Sequence, residues 1–427
     1  MGPHPWRFVK LLYVSFDGVL QPLAFSQVVR PIAALAKRGF DYHLLSCERP
    51  KDLADPEKVR HVREALGDVR WTSVEVEVAG SGRRAAESLG RTIATAHAIA
   101  HRENVDLVHA RAHQGALVSR SVKATLGVPY LFDVRGTWVE ERRDWFGRPA
   151  AYAAGKLVER SLFASASGFV TLTQLLANDL EAECGRDGRP LRVITTCADF
   201  DRFSLRPAGP RAVSDANGPG GDLKRRLVDR VVIGIVGALN SSYNVGATMG
   251  LARRILAASP RTHLLVLSQQ TDAYGELLTR EGLPADRWSV TAAPHHEMAD
   301  WLRNIDWGFL LLHEVAAKRG SMPTKLAEFF ASGVRPMAYG CNSEMMSWVR
   351  RTGSGLALDS LDDDALDDAA RRVAAHAEHG SSADDHASLA RAREIARPHF
   401  SNEAGVKSYE ELLRAIEANG RSRRSRG

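Results

Sequence analysis

Ser321-Met-Pro-Thr-Lys-Leu-Ala-Glu328 is the stretch of this 427-residue chain whose residue types and spacing point most directly to chemistry. It follows a strand-like apolar run, Trp307–Leu312, and a short polar loop, and the pattern predicts a helix continuing through Phe329 and Phe330 to Gly333. Pro323 suits a first helical turn because its missing N–H would find no partner there. Ser321 is the expected N-cap. The backbone N–H groups that follow point out of the helix end and attract an anion. Lys325 adds a full positive charge, with Thr324 beside it, and Glu328 lies one turn on along the same face. Phosphates on the helix end and the lysine, with ribose hydroxyls on the carboxylate, would make this a site for a nucleotide diphosphate. The same residues also suit a capped helix closed by a local Lys325–Glu328 ion pair.

Such a helix must be held by a framework, and the alternation of the chain describes one. Apolar runs at Val9–Phe16, Tyr42–Ser46, Trp71–Val78, Leu107–His109, Tyr130–Phe132, Phe169–Leu172 and Leu191–Ile194 predict strands. Helical patterns such as Phe25–Arg38, Gly115–Leu126 and Ala153–Ala164 lie between them. Strand and helix in alternation imply a parallel sheet covered on both faces. From Arg206 the chain is rich in Pro, Gly, Asp and Asn and loses its periodicity, which predicts a linker. The alternation then restarts with a strand at Val231–Val236 and further strands at Thr262–Leu267, Trp288–Thr291, Trp307–Leu312, Arg335–Ala338 and Gly355–Leu358. The fold class expected is α/β, with two doubly wound Rossmann-like domains and a ligand in the cleft between them. The expected boundaries are an N-terminal Rossmann-like domain over 1–205, a linker over 206–229 and a second Rossmann-like domain over 230–398. A helix over 399–420 is expected to pack back on the first domain, and 421–427 to form a disordered basic tail.

Composition narrows the class. An apolar content of 44% in 427 residues supports sizeable cores in two or three domains. The formal charge of +6 lies partly in the terminal Arg-rich segment, so the body is nearly balanced and gives no argument for nucleic acid. The four cysteines are scattered without a C-x-x-C pair, which favours a reduced, cytoplasmic setting over disulfides or zinc. No apolar run has the length to span a bilayer. Arg142-Arg-Asp-Trp-Phe146, with Arg148, Lys156 and Arg160, could rest on an anionic membrane surface or be a solvated helix face. Gly80-Ser-Gly82, with Arg83 and Arg84, reads as a flexible basic loop. Asp362-Asp-Asp364 is an acidic first helical turn, and no metal site is expected.

Several segments in order along the chain resemble the GT-B-fold glycosyltransferases of the family 4 type. These are Asp17-Gly-Val-Leu-Gln-Pro with Leu35-Ala-Lys-Arg-Gly39, then Val108-His-Ala-Arg111, then Phe132-Asp-Val-Arg-Gly-Thr-Trp138. Thr196-Cys-Ala-Asp-Phe-Asp-Arg-Phe203 follows, and last comes the Ser321–Glu328 helix start with Ala331-Ser-Gly-Val-Arg-Pro336. The resemblance implies a transferase, hexosyltransferase-like, that moves a sugar from a UDP- or GDP-sugar to a glycan or lipid-linked glycan acceptor. It further implies retention of configuration, no cofactor beyond the nucleotide-sugar substrate, no metal, and a cytoplasmic enzyme, either free or peripheral at the inner face of the plasma membrane. A role in building surface polysaccharides is implied too. Asp17 and Gly18 would form the acceptor-side loop. His109, Arg111, Asp133 and Arg135, at strand ends, would be catalytic, with either His109 or Arg111 in the place where relatives carry a sugar-contacting histidine. The Asp133–Arg135 pair could orient an acceptor or hold a phosphate, or be a buried ion pair.

The sequence departs from the family pattern in two places. Gly320 stands where the first of two spaced glutamates is usual, and Gly237-Ala-Leu-Asn-Ser-Ser-Tyr243 replaces a segment that usually offers an arginine and a lysine. Donor binding would then rely on Gly237, Asn240, Ser241, Arg319, Ser321, Pro323, Thr324, Lys325 and Glu328. Alternatives of other classes are a non-catalytic GT-B partner subunit or glycan-binding protein, and a nucleotide-sugar epimerase of the same fold.

Overall fold

Side chains that alternate along β1 (Lys10–Ser15) enter two different cores. Leu11 and Tyr13 pack in one with Val28, Ile32 and Leu44, whereas Leu12 and Val14 pack in the other with Val108, Phe132 and Ile99. A strand buried on both faces has no polar side to show, so it reads as a continuous apolar run. In this computed structural model, residues 10–76, 82–141, 149–185, 188–209, 220–240, 242–341, 343–379 and 382–424 are described. The strands that follow are β2 (Asp41–Glu48), β3 (Arg70–Glu75), β4 (Leu107–Arg111), β5 (Tyr130–Val134), β6 (Gly168–Thr171) and β7 (Leu191–Val193). They form one parallel sheet of seven strands in the order β3-β2-β1-β4-β5-β6-β7.

The second sheet contains β8 (Val231–Val236), β9 (Thr262–Leu267), β10 (Trp288–Thr291), β11 (Trp307–Leu311), β12 (Arg335–Tyr339) and β13 (Leu356–Ala357). Its six parallel strands run in the order β10-β9-β8-β11-β12-β13. Ile233, Ile235, Leu264, Val266, Phe309 and Leu311 form the centre of its core. Each sheet therefore reverses its order of growth once, at β1/β4 in the first and β8/β11 in the second. Parallel sheets of this kind bind ligands beyond the carboxyl ends of the strands at such a reversal.

The chain divides into two compact units, 1–195 with 403–427, and 196–402. The division precedes the linker expected at 206. Phe200 and Phe203 are buried in the second unit, and Arg393 donates to the Phe200 carbonyl, so this stretch packs instead of bridging. The expected linker also contains a helix at Gly221–Arg226, and Arg206 donates to Asp306 at 3.3 Å. Residues 210–219 of it lie outside the described residues.

Other differences have local causes. The helix expected over Phe25–Arg38 is built in three pieces, with a π-turn at Phe25–Val29 between Pro22–Ala24 and Arg30–Ala36. Gly82 to Arg84 open the long helix Gly82–Glu103 in place of a loop, while residues 80 and 81 lie outside the described residues, as do 142–148 of the basic aromatic segment. The last helix, Asn402–Arg424, runs through the first part of the expected disordered tail, as arginine favours helix. Residues 425–427 are outside the described set. Val406, Tyr409, Leu413 and Ile416 of that helix share one face and enter the core of the first unit beside Leu11 and Tyr13. Among the described residues, no helix is long and apolar enough to cross a membrane.

Candidate active site

In the second unit, β8 ends at Val236 and the chain turns at Gly237, where φ is +110°. The helix Thr324–Ser332, which follows β11, begins beside this turn. Its N-cap is Pro323 in an extended conformation, not Ser321 as the sequence suggests. The proline ring fixes φ near the value observed, −63°, but offers no side-chain acceptor for the first turn. Ser321 instead donates its N–H to the Lys318 carbonyl at 3.2 Å, in the turn that follows the 3-10 helix Ala316–Lys318. Thr196, early in the second unit, reaches the Pro323 carbonyl at 3.4 Å.

Lys325 points back to the Gly237 turn. Its Nζ donates to the Tyr243 hydroxyl at 3.3 Å and lies 5.1 Å from the centre of that ring. A Cβ on Gly237 would stand 2.8 Å from the same Nζ. Positive φ and this close approach both require glycine. Burial pulls the Lys325 pKa down, but Tyr243 and the Glu328 carboxylate more than offset it, and the side chain stays an ammonium. Glu328 is pushed up to about 7, because its half-buried carboxyl loses hydration faster than Lys325 and Arg202 restore its charge. Among the described residues it makes no ion pair or hydrogen bond, so the local Lys325–Glu328 pair is not formed. Arg202 is placed by Asp199, whose carboxylate accepts from the N–H groups of Asp201 and Arg202 at 3.2 and 3.1 Å.

The remaining donor-side candidates are less directed. Asn240 is exposed and spends its side-chain oxygen on the Ser242 N–H at 2.9 Å. Arg319 is exposed, Thr324 and Ser321 are half-buried, Gly320 is buried, and Ser241 lies outside the described residues. Leu239, Tyr243, Val245, Met249 and Tyr274 line an apolar pocket next to the Gly237 turn. Replacing Gly237 with alanine should strain the turn by about 1–3 kcal/mol and push Lys325 aside. Calorimetric UDP titration and a thermal melt should show both affinity and stability falling together.

In the first unit, side chains gather at the carboxyl ends of β1, β4 and β5. Arg111 ends β4 and donates Nε to Asp17 at 2.7 Å and Nη2 to Gln27 at 2.7 Å. Arg135, just past β5, donates to the same Gln27 oxygen at 3.1 Å and to Asp133 at 3.4 Å. Gln27 comes from the π-turn, and turns of this kind recur at functional sites. Asp133 is 1% exposed and also accepts from the Tyr409 hydroxyl at 3.2 Å, with Arg111 3.9 Å away. It is a buried counter-charge, not a group at the surface of the site. Gly18 folds against Glu48, where a Cβ would meet the carboxylate oxygen at 2.8 Å. That carboxylate accepts the N–H groups of Val19 and Leu20 and so fixes the loop beyond Asp17.

His109 departs from its expected role. It is 2% exposed, its ring centre lies 4.4 Å from Tyr13 and 5.4 Å from Tyr409, and Tyr42 is 3.3 Å from Nδ1. Burial pushes its pKa down to about 4, against Asp133 and with the two arginines, so the ring is neutral. His109 shares a face of β4 with Arg111, two residues on, but sits deeper along the strand, whereas the long Arg111 side chain at the strand end reaches Asp17. Gln27, Glu48, Tyr243, Arg202 and Tyr409 escape sequence reasoning. The apolar spacing around Tyr409 foretells its burial, but nothing in the sequence pairs it with Asp133.

Residues 27–202 match the model of Glycosyltransferase Family 4. Among solved structures, sucrose-phosphate synthase from Thermosynechococcus elongatus aligns at TM-score 0.74 and 16% identity, over 97% of this chain and 100% of that one. Anabaena HepE in complex with UDP and glucose aligns at TM-score 0.68 and 16% identity, over 95% and 100% of the two chains. A glycosyltransferase from Rickettsia africae aligns at TM-score 0.66 and 14% identity, over 97% and 100%. No curated protein sequence matches the chain. At these identities the structures establish a shared GT-B fold of two Rossmann-like domains.

Proposed function

We propose that this chain, a glycosyltransferase with a Family 4 segment at 27–202, moves a sugar from a UDP-sugar to a glycan or lipid-linked glycan acceptor. The observation that carries this reading is the convergence of the Lys325 ammonium and the Gly237 backbone at the β8/β11 reversal. Breaking a sugar–phosphate bond develops positive charge at the sugar and negative charge on the departing diphosphate. A fixed ammonium beside a helix N-terminus stabilises that leaving group without reorganisation and without a metal. Glu328 would accept ribose hydroxyls, and Tyr243, stacked against the lysine, orients it. UDP is favoured because HepE holds it on the same fold. Retention of configuration, a place in polysaccharide assembly and residence at the inner membrane face belong to the same reading.

The direct test is a thermal-shift titration with UDP and with GDP. A nucleotide held at a hundred times its dissociation constant should stabilise the chain by about 3 kcal/mol. If neither nucleotide shifts the melt, the assignment is wrong.

The raised Glu328 pKa gives a signed pH dependence. Below about 7 the carboxyl is protonated, and above it the carboxylate accepts hydroxyls more strongly. Affinity for a UDP-sugar, whose esterified diphosphate has no ionisation near neutrality, should therefore rise from pH 6 to pH 8. Glu328→Gln should flatten that rise. Stability moves the opposite way. In the unfolded chain the group ionises near 4.5, so its contribution, full below that value, is lost as pH climbs to about 7. The loss is at most about 3 kcal/mol, and Glu328→Gln should abolish it in urea melts at pH 5 and 8.

A further inference from the structure

We propose that the second unit holds a separate phosphate-binding site at the far end of the Thr324–Ser332 helix, formed by Arg206, Arg303, Arg335 and the Ser332 hydroxyl. It goes beyond the transferase reading and does not rest on it. The donor residues stand at the first turn of that helix and this pocket at its last, roughly 12 Å away along the axis.

The pocket opens at the amino ends of β11 and β12. Arg335 is the first residue of β12, Asp306 immediately precedes β11, Arg303 stands in the turn before it, and Arg206 arrives from early in the second unit. Side-chain exposure falls from 39% at Arg303 through 19% at Arg206 to 9% at Arg335, and Ser332 forms the floor at 4%. The Ser332 hydroxyl has no hydrogen-bond partner among the described residues. A buried hydroxyl left unpaired destabilises the fold, and an incoming oxygen would satisfy it. The enclosed space beside it, about 20 Å³, admits a single oxygen-sized group. Each guanidinium has a carboxylate partner, but only Asp306 lines the pocket. Arg303 pairs with Asp300, whose side chain is 56% exposed, so that pair exchanges readily. Arg335 pairs with Asp385, outside the pocket. Arg206 divides Nη1 between Asp306 at 3.3 Å and the Arg303 carbonyl at 3.4 Å, both long contacts. The other Asp306 oxygen accepts the Val232 N–H at 2.8 Å. His386 donates Nε2 to the Arg206 carbonyl at 3.0 Å and holds that segment in the wall. Three guanidiniums thus face one carboxylate, a surplus that an anion balances.

A phosphate carries three charged or hydrogen-bonding oxygens on one tetrahedral centre. One enters the floor beside Ser332 and Arg335, and two meet Arg206 and Arg303 nearer the mouth. The fourth position, a hydroxyl or an ester, points outward. A carboxylate has only two oxygens in one plane and cannot serve the floor and both groups at the mouth together. No bond is made or broken; the site is one of recognition.

The full chain is melted in inorganic phosphate, in glucose 6-phosphate and in chloride at constant ionic strength. Either phosphate should raise the melting temperature where chloride does not, and the dissociation constant follows from the concentration dependence. Arg303→Gln removes the most exposed of the three cations and should weaken phosphate binding at least tenfold. Ser332→Ala should weaken it about fivefold. Without phosphate, Ser332→Ala should melt no lower than wild type, because alanine favours the helix and takes away the unpaired hydroxyl. Lys325→Ala, at the other end of the helix, should keep the phosphate shift. Tighter binding of glucose 6-phosphate than of inorganic phosphate assigns a phosphorylated metabolite, and equal affinity assigns the free ion. Stabilisation no greater than in chloride means that the pocket takes solvent alone and overturns the proposal. A shift that survives both Arg303→Gln and Ser332→Ala, or that disappears in Lys325→Ala, overturns it too, since the phosphate then sits elsewhere.

Discussion

Lys325→Ala should weaken UDP binding by on the order of 100-fold while leaving the fold intact, because it removes a charge-assisted interaction within the site. The side chain's partners in the absence of ligand are the Tyr243 hydroxyl at 3.3 Å and the face of its ring. Burial is the largest single influence on its pKa, but Tyr243 and the Glu328 carboxylate together more than offset it. The melting temperature should therefore fall only modestly in the variant, since the lost contacts and the relieved desolvation largely cancel. Turnover should fall at least as far as affinity, since charge on the departing diphosphate grows toward the transition state. Calorimetric titration with UDP, paired with a melt, separates the outcomes. Unchanged affinity would remove the lysine from the donor site. Loss of affinity together with a collapsed melt would make its role structural.

The second large effect lies in the other unit and has the opposite character. Asp133→Ala should cost about 3–5 kcal/mol of folding stability, since it strands a buried guanidinium and a buried phenol together. Arg111 would keep only the exposed Asp17 as a charged partner, and the Tyr409 hydroxyl would lose its acceptor. For a unit of this size that should lower its melting transition by on the order of 10 °C. Asp133→Asn retains an oxygen for Tyr409 but not the charge, so it should fall between wild type and alanine. Tyr409→Phe removes only the hydroxyl and should cost about 1 kcal/mol. Scanning calorimetry on the three variants would show this order. An Asp133→Ala transition within a degree or two of wild type would mean that solvent reaches the cluster and the burial argument fails.

The contrast between these two sites explains what the sequence could convey. The Lys325 helix is legible because its parts are contiguous: a strand, a proline, a lysine in the first turn and a carboxylate one turn later. Even there the cap lies two residues from its expected place, since Ser321 and Pro323 both suit a helix start and only the path of the preceding 3-10 turn separates them. The Arg111 cluster is legible only in part. Asp17, Arg111, Asp133 and Arg135 stand at strand ends, where sheet topology collects them. His109 stands two residues before Arg111, and a strand turns alternate side chains to one face, so its type suggests chemistry that its depth denies. Gln27 is hidden because a π-turn replaces the α-helical phase that the apolar pattern implies. Tyr409 is hidden by distance, since a residue near the end of the chain completes the charge balance of one in its first third.

What the sequence determined by itself was periodicity and local chemistry. Two runs of alternating strand and helix require two covered parallel sheets, and a lysine after a proline at a helix start requires a positive helix end. Tertiary structure decided which charges are buried, which are shared and which remain available. Those follow from strand order and from the return of the last helix to the first core, and both are set by packing between residues hundreds of positions apart. Desolvation depends on that surrounding packing and not on residue type. The neutral His109, the half-titrated Glu328 and the buried Ser332 hydroxyl therefore became visible only once the chain was folded.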